Sequence, residues 1–334
     1  MPVTIRDVAE AAGVSITTVS RALNGYTDVS PETRKRILEI AQRLNYRPNH
    51  VARSLVRNRT QTIGLLVSDF SKSRTGHHFM FDVLCGVYER LAELGYDVSL
   101  VSTSTAQQHL VSYLDFCTQR RFEGVIVMGI RLDDPYVHEV VESPLPSVVI
   151  DLPLLSEHCG YVMTDNINGA KFAVRHLVER GHRQIGFVNG YSQAAVSIER
   201  LRGYEEGLRA AGLPIRAELI YEADFSLEGG ARGFHELRKR NPDLTAVFFA
   251  SDLMAIAGMR AAMASDLRVP DDIAIVGFDN IDVTELVSPT LTTIGQRRYE
   301  MGTTAADMLI GMLEHGDPPE GRLLAPELII REST

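Results

Sequence analysis

The sequence predicts an all-α head followed by an α/β body made of two doubly wound parallel sheets. Three observations lead there. The first 50 residues hold three short stretches with apolar residues at helical spacing. From Thr62 onward, short apolar runs alternate with helical stretches, and the alternation runs through twice. The charge divides at the same place: residues 1–59 carry ten Lys and Arg against five Asp and Glu, a net +5, which leaves −14 on the rest of a chain whose formal charge is −9. A basic head on an acidic body suits a head that meets a polyanion and a body that does not.

The head is read first. After Thr4, residues Val8, Ala9 and Ala12 share one helical face. Gly13 breaks the run, because glycine enters a left-handed turn at little cost. Ser15 can cap a second helix reaching about Asn24, with Val19, Ala22 and Leu23 inside. In "DVSPETRKRILEIAQRLNY", Ser30 is the N-cap and Pro31 the first helical residue, and Ile37, Leu38, Ala41 and Leu44 form the apolar stripe. A small residue at the crossing and a glycine at the turn are what a helix-turn-helix requires. Such a motif lays its second helix in the DNA major groove. In "GVSITTVSRALNG", Ser15, Thr17, Thr18 and Ser20 are short donors and acceptors for phosphates or base edges, and Arg21 reaches a guanine or a phosphate. Spacing alone leaves open a plain helical hairpin whose hydroxyls are caps. Next comes "RPNHVARSLVRNRTQ", residues 47–61, with Pro48, a possible cap at Asn49 and about two helical turns. A helix that short is not stable alone in water, so the stretch reads as a linker or as a segment that orders on binding.

The body then follows in order. "TIGLLVSD" reads as a strand, then a helix over 77–94, "DVSLVST", a helix over 106–121, "GVIVMG", a helix over 135–143, "SVVIDL" and "YVMTD". The second round gives a helix over 167–180, "IGFVNG", a helix over 197–211, "ELIYEAD", a helix over 227–240, "AVFFAS", a helix over 252–264 and "IAIVGFDN". Strands alternating with helices point to parallel sheets covered on both faces. Ligands of such sheets bind beyond the carboxyl ends of the strands. The polar residues there are Asp69, Asp151, Asp165, Asn189, Asp224, Ser251, Asp252 and Asp279.

Composition and missing motifs exclude other classes. With 45% hydrophobic and 23% charged residues, the chain has the make-up of a globular protein. No apolar run approaches the roughly 20 residues of a membrane span, and the first twelve residues do not read as a secretory leader. Cys85, Cys117 and Cys159 are sparse and odd in number, which argues against a disulfide framework and for a reducing cytoplasm. There is no Gly-x-Ser-x-Gly, no phosphate-binding Gly-x-x-x-x-Gly-Lys and no Gly-x-Gly-x-x-Gly after a strand, so an enzyme is not expected. The histidines of "GHHF" are adjacent, not four apart on one helix face. Neither a metal nor a cofactor is expected.

"VTIRDVAEAAGVSITTVSRALNG" and "VSPETRKRILEIAQRLNYRPNHVARSL" resemble the head of the LacI/GalR family of bacterial transcription regulators. The likeness continues through "LVERGHRQIGFVNG", "RLRGYEEGLRAAGL", "TAVFFASDLMAIAGMRA", "VPDDIAIVGFDN" and "SPTLTTIGQ", and so covers the whole chain. The resemblance implies a DNA-binding domain over 1–47, a hinge helix over 48–61, and an effector-binding and dimerisation domain over 62–334 with a periplasmic-binding-protein type I fold. Its first subdomain would span about 62–163 and 293–325, and its second about 164–292 and 326–334. It implies a homodimer on near-palindromic double-stranded DNA, with Ile16 and Thr17 choosing the sequence and Leu55 wedged into the minor groove, where an apolar wedge kinks the duplex. Thr4, Arg21, Asn24, Ser30, Thr33, Asn49, His50, Ala52 and Arg53 would contact the DNA backbone or adjoining bases. A small effector, a mono- or disaccharide in most relatives and a purine or nucleoside in others, would sit between the subdomains against Asp69, Asp151, Arg200, Ser251, Asp252, Asp279 and Gln296, with its ring on Phe225. Carboxylate and guanidinium groups hold sugar hydroxyls, and an aromatic ring covers the apolar face of a pyranose. Many relatives carry an Asn-Pro-Phe-Phe-like run after the first strand, whereas this chain has "DFSKSRTGHHFMF". The cleft wall near Arg74, His77 and Phe79 therefore differs from theirs. A free-standing sugar-binding transport protein would share the body but not the basic head or the missing leader. No leucine-heptad tail follows "LLAPELIIREST", which favours a dimer over a tetramer.

Overall fold

The computed structural model describes residues 3–23, 26, 28–46, 60–68 and 77–334. They form two units, one ending at Thr60 and one running from Gln61 to Thr334.

The first unit contains helices α1 (Ile5–Ala12), α2 (Ile16–Leu23) and α3 (Pro31–Arg43). Local chemistry sets their ends. The backbone N–H and the hydroxyl of Thr4 both donate to the Asp7 carboxylate, at 2.7 and 2.8 Å. Gly13 closes α1 with φ 65°, a conformation that costs other residues steric strain. Ser15 and Ser30 accept from the amides of Thr18 and Thr33, at 3.0 and 3.2 Å. Val8, Ala9, Ala12, Val19, Ala22, Val29, Ile37, Ile40 and Ala41 fill the core between the helices. The stripe on α3 differs from expectation at one place: Leu38 is 48% exposed and Ile40 is buried instead. Positions 37, 40, 41 and 44 lie on one face at 3.6 residues per turn, and position 38 turns away from it.

In the second unit, one six-stranded sheet has the order β11-β5-β4-β3-β1-β2, with β1 (Thr62–Ser68), β2 (Asp97–Thr103), β3 (Gly124–Met128), β4 (Ser147–Ile150), β5 (Cys159–Thr164) and β11 (Gly321–Leu324). The other has the order β12-β10-β9-β8-β6-β7, with β6 (Ile185–Asn189), β7 (Ile220–Glu222), β8 (Ala246–Phe249), β9 (Ala274–Asp279), β10 (Thr292–Gly295) and β12 (Glu327–Ile329). All pairings are parallel except β12 on β10, which is antiparallel. Helices cover both faces: α4 (His77–Glu93), α5 (Thr105–Gln108), α6 (Tyr113–Gln119) and α7 (Tyr136–Glu142) serve the first sheet, and α8 (Asn166–Glu179), α9 (Ala195–Ala210), α10 (Leu227–Arg240) and α11 (Asp252–Ala264) the second. The helix α12 (Arg298–Ile310) returns to pack on the first sheet beside α4. The single helix expected over 106–121 is two helices, because Ser112 accepts the amide of Asp115 and starts a new one.

The chain thus passes between the sheets three times: at Asp165, after Gly295, and between Leu324 and Glu327. The return expected at about 293 comes later, because β10 through Gly295 is still paired with β9. The helices α4 and α12 run parallel with their backbones in contact. A Cβ on Gly86 would lie 2.2 Å from the Tyr299 carbonyl oxygen, and one on Gly302 would lie 2.2 Å from that of Val83. Further along, Arg90 Nε donates to Asp307 Oδ1 at 2.7 Å. Cys117 and Cys159 are buried, Cys85 is partly exposed, and all three are free thiols. Among the described residues, no helix is long and apolar enough to cross a membrane.

Candidate functional site

On the head, the exposed side of α2 carries Ile16, which is 43% exposed, with Thr17 and Arg21 also exposed, while Val19 and Ala22 face the core. The hydroxyls divide. Ser15 caps the helix and pairs with Thr18 at 2.8 Å, while the exposed Thr17 lies outside that pair. Ser20 is half-buried. Ser30 and Thr33 bond each other across the start of α3 at 2.9 Å. Arg21 pairs with Asp28 at 2.6 Å, both side chains about half exposed, and its guanidinium lies 5.1 Å from the Tyr26 ring. An exposed pair of this kind is worth at most about 1 kcal/mol, so a phosphate or a guanine can replace Asp28 at small cost. Asn24, Asn49, His50, Ala52, Arg53 and Leu55 lie outside the described residues, as do Asp69 and Arg74.

On the body, side chains converge where the chain crosses between the sheets. Arg200, on α9, is 3% exposed. Its Nε donates to Asn166 Oδ1 at 2.8 Å and its Nη1 to the Ala250 carbonyl at 2.6 Å, with Asp279 Oδ1 3.8 Å away. The face of the guanidinium lies 3.8 Å from the Phe278 ring centroid. Burial works against its charge, and Asp279 and Asp151 support it. Gln296 spans the seam: its Nε2 donates to Asp279 Oδ1 at 2.6 Å, and its Oε1 accepts from the Thr164 hydroxyl at 2.6 Å. Burial pushes the Asp279 carboxyl up, opposed by Arg200.

Asp151 follows β4. The residue as a whole is partly buried, yet its Oδ1 is shielded from solvent and has no hydrogen-bond partner. Burial pushes its carboxyl up to about 7, against the pull of Arg200 and with a push from Asp279 and Glu199. A buried carboxylate oxygen without a donor is costly; a hydroxyl or amine brought by a ligand would satisfy it. Backbone strain gathers at the same residues. Asp151, Phe225 and Asp279 all have positive φ, at 62°, 61° and 124°, and such conformations cluster at ligand sites.

Phe225 approaches after β7. Its ring meets Tyr191 edge-on at 5.3 Å and lies over Gly190, where a Cβ would fall 2.0 Å from the ring. Phe79 packs half-buried on the core of the first sheet. Ser251 caps α11. Asp252 is fully buried and ties strand β10 to the turn after β9: the Thr293 hydroxyl donates to Oδ1 at 2.5 Å and the Ile281 amide to Oδ2 at 2.9 Å. Its carboxyl is raised to about 7 by burial and by the charge of Asp279. Among the other strand-end candidates, Asp165 caps α8 through the Asn168 amide, Asn189 bonds Gly190 and Ser197, and Asp224 holds Ser226. Thr164, Asn166, Glu199 and Arg298 belong to the same seam and were not expected. No local pattern in the sequence marks Arg298, whose partner Asp82 is distant in the chain.

Residues 4–49 match the family of bacterial regulatory proteins, lacI family, and residues 174–334 a periplasmic binding protein-like domain. Over 99% of its length, and 98% of the relative's, the chain is 36% identical to the HTH-type transcriptional regulator CelR of Thermobifida fusca. The chain belongs to the LacI family of bacterial regulators. As a LacI-family member it is a DNA-binding transcriptional regulator, not an enzyme, and carries the family's helix-turn-helix and its two-subdomain periplasmic-binding-protein type I body. It is also 32% identical to the transcriptional repressor PurR of Actinobacillus pleuropneumoniae serotype 3 (strain JL03), covering 99% of this chain and 98% of that one. Among solved structures, this LacI-family chain is similar to the lac repressor dimer bound to operator and the anti-inducer ONPF, with a TM-score of 0.85 at 28% identity over 100% of this chain and 99% of that one. It is similar to the CelR–cellobiose complex with a TM-score of 0.77 at 34% identity, over 99% of this chain and 100% of that one.

Proposed function

We propose that this chain represses carbohydrate-utilisation genes in the cytoplasm as a homodimer, and that a saccharide bound at the seam sets its hold on DNA. Residues 1–47 read the operator through Ile16, Thr17 and Arg21. Residues 48–61 act as the hinge, with Leu55 as the minor-groove wedge. Residues 62–334 bind effector and partner. The observation that carries the effector reading is the buried, unpartnered Asp151 Oδ1 beside Arg200 and Asp279. A sugar hydroxyl donates to Asp151 and its neighbours bond to Arg200 and Asp279, while Phe225 supplies the apolar wall. The likeness to a relative solved with cellobiose supports the same class of ligand. Dimerisation is supported by large apolar side chains left outside: Phe81 and Tyr88 on α4 at 65% and 61% exposed, Leu100 on the edge strand β2 at 51%, and Leu286 at 82%.

A thermal-shift panel tests the effector class. A ligand that binds only the folded chain raises its Tm. Cellobiose, other mono- and disaccharides, hypoxanthine, guanine and nucleosides are compared. A shift with saccharides that is lost in Asp151→Asn supports the reading, and a shift confined to the purines replaces it. Binding-site selection from random DNA gives the operator, and light scattering gives the mass; a monomer at micromolar concentration contradicts the dimer.

A further inference from the structure

One buried guanidinium at the seam has no part in that reading. Arg298, the first residue of α12, has a side chain only 9% exposed. Its Nη2 lies 2.7 Å from Asp82 Oδ2 on α4. Its Nη1 donates to the backbone carbonyl of Asp279, at the end of β9, at 3.4 Å. Asp82 belongs to the half built on the first sheet and Asp279 to the half built on the second, so a single side chain grips both. Asp282 Oδ1 is 3.9 Å away, but that side chain is wholly exposed, and screening leaves such a contact little weight. Holding two acceptors in fixed directions is what a planar guanidinium does and an ammonium does not.

The partner on α4 is not free to yield. One turn beyond Asp82 and Arg298, the backbones of α4 and α12 touch at Gly86 and Gly302, so the two helices move together. The partner on β9 is the residue with φ 124°, whose carboxylate faces Arg200 and Gln296. Movement of that strand end is therefore passed to α4 rather than absorbed locally.

We propose that Arg298 is the positioning residue that ties the Asp279 end of β9 to helix α4, so that occupancy of the cleft by a saccharide is felt in the first subdomain. The transmission rests on Asp279 being an effector ligand; the tie itself does not. Hydrogen–deuterium exchange on the full, ligand-free chain therefore tests the tie without any sugar. Arg298→Met is expected to speed exchange at the amides of Asp279, Asn280 and Ile281 and in the first two turns of α4 by about tenfold. Asp82→Asn, which alters only the α4 side, should speed exchange at 279–281 as well, and Arg298→Lys should not restore it. Arg90→Ala, which cuts the other ion pair between the same helices, should leave 279–281 at the parent rate. Unchanged exchange at 279–281 in Asp82→Asn, full rescue by lysine, or an equal effect of Arg90→Ala overturns the tie.

The second measurement uses cellobiose and the selected operator. Asp279→Asn should lose sugar binding. Arg298→Met should keep sugar affinity within about threefold and lose the sugar's effect on operator affinity. Loss of sugar affinity in Arg298→Met would make Arg298 a ligand contact and overturn the transmission. If cellobiose fails to bind the parent chain, cellobiose as effector falls, and the exchange experiment still decides whether Arg298 makes the tie.

Discussion

Asp151 stores a proton. Its carboxyl, raised by burial from 3.8 to about 7, stays protonated in the folded chain where the unfolded chain has already ionised. The folded state binds more protons across that window, so this group makes stability fall as pH rises through it. Asp151→Asn removes that slope. The Tm of the variant relative to the parent should climb from pH 4 towards pH 7 and then level; a constant offset would contradict a burial-raised carboxyl. Arg200→Ala and Asp279→Ala should leave operator affinity near the parent's without sugar and abolish the response to it, read by fluorescence anisotropy at fixed salt. A folded variant that still responds fully removes its residue from the site. Ile16 and Thr17 changed together should shift base preference in a binding-site selection, at about 1–3 kcal/mol per lost base contact. At this scale the sequence was legible in part. Asp151, Asp279, Ser251, Asp165, Asn189 and Asp224 all stood out alike as strand ends, yet Ser251 and Asp165 cap helices, and Asn189 and Asp224 hold loops. A cap and a ligand contact call for the same short acceptor, so residue type cannot separate them. Arg298 was not legible as a seam residue, because the partner that gives it meaning, Asp82, is distant in the chain.

Among elements, the strands were the easiest to read. Runs such as "GVIVM" are buried at every position, which apolar composition alone conveys. Breaks were harder: residues 106–121 have helical spacing throughout, and the cap at Ser112 competes with it. Which glycines matter was hidden altogether, since Gly86 and Gly302 look like ordinary helix interruptions until the helices meet. Gly302→Ala should force α4 away from α12 and cost about 1–3 kcal/mol, seen as a lower Tm for the body. Gly13→Ala meets no atom within 4 Å but must hold φ 65°, so strain of about 1–2 kcal/mol falls on the head alone. Equal thermal shifts of both units in either variant would contradict these assignments.

For the whole molecule, the division of charge was plain in the sequence, and the alternation of strands and helices marked out two halves, but the order in which the chain visits them was not plain from periodicity. Operator binding should weaken steeply with salt as the arginine-rich head releases counterions; a flat salt dependence would deny the head its role. Leu55→Ala should reduce DNA bending measured by energy transfer while leaving salt-sensitive, non-specific binding in place. The three crossings also bear on how the protein is made. Each sheet receives its last strand after residue 320, β11 on the edge of β5 and β12 on the edge of β10. A ribosome adding roughly 5–20 residues per second therefore carries two unfinished halves until it has passed residue 320. A premature stop just before Gly321 would bare an open strand edge on both at once, and open edges recruit other chains. Exchanging one half of this protein for that of a relative is likewise no single cut and paste, because each half is written in separate stretches of the gene that must be exchanged together.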